Sequence, residues 1–550
     1  MKKLLLKLQL AVAALLVASA PLSAVAQTDM DMEPGVVISM ASLEEHLSDM
    51  EHLVEAAGFG QMAGLVRMGA AEYIRGLDPD KPMGSFLFFH EDTPEPDVLA
   101  FVPVKDIEDV LDTLAPFVDI DEDGNDIVLT ANDGTEITVR EREGYAFIVQ
   151  DAAMLENLPA NPASQLENLP SQYNFAARIF GQRIPAELRQ QAIDLIRDGA
   201  AAEMENLGDS PEAELQRANF DYSMAQLEAF INETEEVIVG LGIDEEGNRV
   251  LIDMTVIGLP DSRLARQSQV LADAPESQFK GFLLEGSAAN FHISGKMLDD
   301  DIEDIQTMIE SLTDAAQKQI DEELSGDEAE LAKRIVSDLI EVVQASVAKG
   351  YMNAGGSLVL NDDSAALAFG TSIAEGAKLE DSVKEIASYA EEEDVPVEFR
   401  FDVRSDNGVR YHEIDVMIPD SEEEMRAMFG DKLSILLGVS DDALYLAAGK
   451  EPADLLTRCM QGSGIETDAV VHMDLHLLPI LRFISNFQDA GELEGIADIL
   501  PETADDRMRF TVDAVENGQT FRFEMQDAVL QILGALGQSM GGGFGPPQDF

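Results

Sequence analysis

One cysteine in 550 residues, Cys459, leaves this chain without an internal disulfide framework. It lies in a helical pattern, Asp454 to Met460, with Arg458 as its one basic neighbour in sequence. That setting suits a small buried apolar residue better than a reactive thiol. Tryptophan is absent and aromatic residues make up 6% of the chain, which weakens any case for a sugar-stacking platform. Basic side chains are scarce, 36 against 106 acidic ones, and the net charge is −70. So acidic a chain repels nucleic-acid phosphates and anionic lipid surfaces. There is no Walker-type phosphate loop, no C-x-x-C and no H-E-x-x-H, so the chemistries those spacings carry have no foothold. Carboxylates are so abundant that a pair at glycosidase separation is expected by chance and argues nothing.

Long apolar runs are also missing beyond the first residues. Lys2, Lys3 and Lys7 precede an apolar stretch, Leu8 to Ala20, shorter than the ~20 residues that span a bilayer. Ala24-Val25-Ala26 matches the small-x-small cleavage rule, so residues 1–26 read as an export signal and the mature chain as periplasmic or secreted. Without those three lysines the balance is 33 basic against 106 acidic, a net −73. Disorder does not follow from this charge, because 45% of residues are hydrophobic and they recur periodically.

What the chain does contain is a repeated order of elements. A short strand, a helical pair, two strands joined by a tight turn and a further helix recur four times. The first copy opens with Val36–Met40 and a capping box at Ser42 and Glu45. The second opens at Tyr173–Ile179 and has a cap-and-proline start at Ser210-Pro211. The third opens at Asn290–Ser294, with a second capping box at Ser325 and Glu328. The fourth runs from Ala469 and holds the hairpin turn Glu516-Asn517-Gly518. These units cover 35–117, 171–273, 288–390 and 467–537, with β-rich inserts at 125–160 and 396–463. The expected fold is α+β in two pseudo-repeated halves, 27–275 and 280–537, joined near Pro275, each an antiparallel sheet packed with amphipathic helical hairpins. A loose glycine-rich tail, 538–550, follows.

Two constellations offer metal ligands. Asp119, Asp121 and Asp123 precede Gly124 in D-x-D-x-D-G, the opening of a calcium loop, although Thr130 stands where a bidentate glutamate belongs. An acidic turn explains the same residues. His472, Asp474 and His476 alternate, so a strand places all three on one face, as zinc ligands or as the polar side of a half-buried strand. No catalytic residue is nominated, and no cofactor is required; Ca2+ is the one ion the pattern suggests.

The run Phe101-Val-Pro-Val-Lys-Asp-Ile-Glu-Asp-Val110, then Gly144-Tyr-Ala-Phe-Ile-Val149 and Leu155-Glu-Asn-Leu-Pro-Ala160, resembles uncharacterised secreted proteins of planctomycete-type bacteria. In that group a tryptophan stands where this chain has Tyr145. The resemblance implies export and a repeated α+β fold; it implies no activity and transfers no site residues. Three functions stay open. One is a non-enzymatic envelope or periplasmic protein that binds a partner protein or an apolar ligand, or serves structurally. The second is a calcium-stabilised structural protein. The third is a hydrolase with an acidic site outside known motifs.

Overall fold

The structure, a computed structural model, describes residues 33–539 apart from 92, 94, 205–210, 275, 362, 394, 463–464, 488–494, 496–499 and 502–503. Residues 1–26, Ser210, Pro275 and 540–550, on which parts of the sequence reading rest, lie outside the described residues. The chain is α+β, with 14 α-helices and extensive antiparallel sheet among the described residues. It divides into two compact units, one drawn from Met1–Ala200 and Ala225–Leu259, the other from Ala201–Met224 and Pro260–Phe550.

Among the described residues the first unit has ten strands: β1 (Val36–Met40), β2 (Met83–Phe88), β3 (Asp97–Pro103), β4 (Val118–Asp123), β5 (Asp126–Ala131), β6 (Glu136–Arg142), β7 (Tyr145–Val149), β8 (Phe175–Phe180), β9 (Thr234–Asp244) and β10 (Arg249–Gly258). Every pairing is antiparallel, in the order β10–β9–β8–β1–β2–β3–β7–β6–β5–β4. Alternate residues of these strands point inward. Phe86 and Phe101 stack at 5.3 Å and Tyr145 meets Phe101 edge-on at 5.8 Å. Met154, Leu155, Leu166 and Leu169 close this core. The helix Leu43–Val54 starts as its residues dictate, with the Ser42 hydroxyl accepting from the Glu45 N–H (3.3 Å). Asp106 caps the helix Ile107–Leu114 in the same way, accepting from the Glu108 N–H (3.0 Å).

The second unit has ten more strands: β11 (Ala289–Lys296), β12 (Tyr351–Asn361), β13 (Ser364–Ser372), β14 (Val397–Asp406), β15 (Val409–Met417), β16 (Lys432–Val439), β17 (Ala443–Gly449), β18 (Val471–His476), β19 (Arg507–Val515) and β20 (Gly518–Gln526). Their order is β20–β19–β18–β11–β12–β13–β17–β16–β15–β14, again antiparallel throughout. Two long helices, Asp299–Glu323 and Asp327–Val347, pack on each other, and the second also packs on Gly376–Glu392. The expected capping box at Ser325 and Glu328 does not form. Gly326 adopts a left-handed φ of 67° and takes the cap position, with no side-chain bond. The helix Arg263–Ala272 lies in this unit against β11, β19 and β20.

Candidate binding site on an open apolar sheet face

Direct strand partners share a face, so the register of the second unit can be followed across its whole sheet. One row reads Phe523, Phe510, Met473, Phe291, Gly356, Phe369, Leu446, Leu437 and His412, from β20 to β15. The next row on the same face reads Met525, Met508, Leu475, Ala289, Leu358, Leu367, Ala448, Ile435 and Ile414. Two adjacent rows are thus apolar except at His412. Phe291 leans over Gly356, where a Cβ would overlap its ring, and lies 6.1 Å from Phe369.

One end of this face is covered. Val342, from the helix Asp327–Val347, packs with Leu437, and Leu379 and Val383 from Gly376–Glu392 join it. Toward the other end the helix Arg263–Ala272 lies on the same face, with Leu271 beside Gly295 and Val512 buried; between these two covers the face is open. Met473 and Met352 are each 48% exposed and Leu367 is 42% exposed, all on this face. Phe291, Phe510 and Phe523 beside them are half-buried. Large apolar side chains left in water on one continuous surface mark a binding site more often than scattered ones do.

The opposite face carries the polarity. Its central row runs Glu524, Arg509, Asp474, Asn290 and Ser357, and the row beside it holds Thr511, His472 and His292. Asn290, Ser357, His292, His472 and Asp474 are all buried. Over Asn290 and Ser357 lies the segment around Phe279–Ser287, which packs Phe279, Phe282 and Leu283 out of solvent. Asn290 holds that segment: its Oδ1 accepts from the Leu284 N–H (3.2 Å) and the Ser287 hydroxyl (2.7 Å), while Nδ2 donates to the Leu284 carbonyl (3.0 Å). A polar face therefore supplies the bonds that fasten its own cover.

His472 and Asp474 are brought together there. His472 Nε2 lies 2.9 Å from Asp474 Oδ2, and its Nδ1 lies 3.1 Å from the Thr467 hydroxyl. Arg509 Nε donates to the other Asp474 oxygen at 2.8 Å. Burial pushes the Asp474 carboxyl upward, but the His472 and Arg509 bonds and charges prevail and hold it at about 2. His476 leaves this group. Its Nδ1 lies 3.2 Å from Asp506, whose second oxygen accepts from the Leu478 N–H at the start of the helix Leu477–Phe487. The three residues thus belong to two separate hydrogen-bonded groups. Asp119, Asp121 and Asp123 fall on β4, paired through Asp119 with Thr130 and Asp121 with Val128. On a strand, alternate residues stand roughly 7 Å apart, so Asp119 and Asp121 are spaced along an edge strand. Asp119 and Asp121 are exposed.

Sequence reasoning missed Glu380, Asp402 and His412, which the fold gathers so that one potential ligand atom from each lies within 4.8 Å of the others. Residues Arg400 and Arg404 of β14 pair with Glu413 and Tyr411, so three residues bulge opposite His412. Asp402, in the bulge, has a φ of 54°, and its N–H donates to His412 Nδ1 at 3.1 Å. That bond leaves the ring proton on Nε2, facing Glu380 Oε1 at 3.9 Å. A metal at Nε2 needs the opposite tautomer. Glu380 is also engaged: Lys384 Nζ lies 2.5 Å from Oε1 and Arg410 Nε donates to Oε2 at 2.5 Å. Burial raises the Glu380 carboxyl, and these two cations outweigh it and lower it. The Lys384 ammonium occupies the cation position of this cluster.

A cleft of about 300 Å³, lined by both polar and apolar side chains, opens beside Arg400, Glu413, Asp415, Ser434, Ile435 and Pro452. Its buried carboxylate, Asp415, is fully engaged by Lys432 (2.6 Å), Ser434 (2.8 Å) and Arg400 (3.0 Å). No family model matches the chain, and no curated protein and no solved structure matches it.

Proposed function

We propose that this chain is an exported, non-enzymatic binding protein of the periplasm or cell exterior, holding an apolar ligand on the open stretch of the second unit's apolar sheet face. The observation that carries the reading is the exposure of Met473 and Leu367 on two adjacent apolar rows, with the exposed Met352 farther along the same face. Methionine suits such a surface, because its unbranched, polarizable side chain conforms to irregular apolar shapes. The net charge of −70 keeps the molecule soluble around an apolar face and selects against anionic partners. Export is supported by the basic start and short apolar run of residues 1–26.

The reading includes an internal duplication. The strand order of the first unit, each number raised by ten, is the strand order of the second. The first unit also carries an apolar row, Met254, Val239, Ala177 and Ile38, whose first two members are exposed. Two copies of one scaffold, each with exposed apolar side chains on its sheet, although on different strands, fit a fold that was duplicated.

The test is native mass spectrometry of protein purified from its own host, joined to titration with Nile red, a neutral apolar dye. The expected result is a co-purifying apolar molecule and dye binding that Met473→Glu weakens. A wild-type protein that carries no ligand and does not bind the dye would overturn the reading.

A further inference from the structure

We propose that Met473 is a modification site through which a peroxide controls occupancy of the apolar face; the inference rests on the binding reading above. Met473 is the one sulfur in the row from Phe523 to Leu437, flanked on its two neighbouring strands by Phe291 and Phe510. Its side chain is half open to water, whereas Met154 in the first unit's core is 1% exposed. A thioether in that position is reachable by a small oxidant and, at the same time, central to the surface a ligand would cover.

The chemistry is a two-electron oxygen transfer. The Sδ lone pair attacks one oxygen of hydrogen peroxide, the O–O bond breaks, a sulfur–oxygen bond forms, and the remaining oxygen leaves with both hydrogens as water. The thioether is oxidised to the sulfoxide and the peroxide is reduced; sulfoxide reductases reverse the change. The product places a strong dipole between two aromatic side chains, where it retains water that an apolar ligand must displace. The chain's single thiol does not compete for the oxidant, since Cys459 is buried and has no thiolate character at neutral pH.

The experiment treats the full chain with hydrogen peroxide, maps oxidised methionines by peptide mass spectrometry, and titrates Nile red before and after. Met473 should oxidise well ahead of Met154, and its sulfoxide should weaken dye binding about tenfold, equal to about 1.4 kcal/mol. A methionine sulfoxide reductase should restore binding. Met473→Leu should lose the sensitivity to peroxide, judged against its own untreated binding, while Met352→Leu should keep it. Dye binding unchanged by the Met473 sulfoxide, or an equal loss in Met473→Leu, overturns the oxidation proposal alone. Failure of the unoxidised protein to bind the dye overturns both it and the binding reading.

Discussion

Replacing His292 with leucine should raise stability at neutral pH and flatten its fall in acid. His292 is fully buried on β11, opposite His472 on β18 and Gly355 on β12, and neither ring nitrogen has a hydrogen-bond partner. Burial drives its pKa down to about 4, with the charges of Lys280 and His472 adding to the effect. The unfolded chain takes up that proton near pH 6.5 and the native chain only near 4. The stability contributed by the neutral ring is therefore complete above pH 6.5 and is lost as pH falls toward 4. The slope is about 1.4 kcal/mol per pH unit, so the window spans roughly 3 kcal/mol. At neutral pH the unpartnered nitrogens cost about 1–3 kcal/mol, which a leucine of similar volume removes. Urea unfolding followed by circular dichroism, at pH values of about 7.5, 6.5, 5.5 and 4.5, isolates the effect as the difference between wild type and variant. Asp474 titrates near 2, outside that window, and cancels in the difference. A variant that is less stable than wild type by more than about 1 kcal/mol at neutral pH, or a difference that does not grow in acid, would refute the reasoning.

Glu380→Gln should cost about 3 kcal/mol in urea unfolding, because Arg410 and Lys384 then share a site with no opposing carboxylate; the exposed Asp402→Asn should cost less than about 1 kcal/mol. Gly376→Ala should destabilise by about 2 kcal/mol or more, since the added Cβ overlaps the Ser440 carbonyl oxygen, and a lowered melting temperature would register it. Burial pushes the Cys459 thiol up to about 12, so a thiol reagent at mildly alkaline pH should label unfolded protein and leave folded protein unmodified; rapid labelling of the folded chain would contradict the buried placement.

Local signals were legible where a few neighbouring residues decide the outcome. Ser42 forms the cap its spacing predicts, and Asp106 caps the helix Ile107–Leu114 in the same way. Asn407-Gly408 and Asn517-Gly518 make hairpin turns, with φ of 50°, 84° and 57° at Asn407, Gly408 and Asn517. The acidic run at 119–123 carries a second pattern in the same residues. Val118 and Ile120 alternate with the aspartates and pack into the cluster around Leu129 and Val139, which makes the segment a strand. The alternation of His472 and Asp474 gave their common face but not which face would be covered. That depends on Phe279–Ser287, roughly two hundred residues earlier, and no local property of β18 encodes it. Glu380 and His412 were illegible for the same reason: a helix and a bulged strand meet there, and no fixed spacing links them.

The polar face over β18, β11 and β12 changes what enforces strand register. In most sheets a slip of one residue turns the apolar side outward, and the hydrophobic effect corrects it. Here the covered side is already polar along these strands and the open side apolar, so a slipped β11 would trade one for the other with little hydrophobic penalty. Fidelity must come from matched partners instead. Only in the native alignment does Asn290 meet Leu284 and Ser287, and only there does Asp474 stand between His472 and Arg509. These strands are proofread by hydrogen bonds, which makes Asn290 a guardian of alignment as much as of stability.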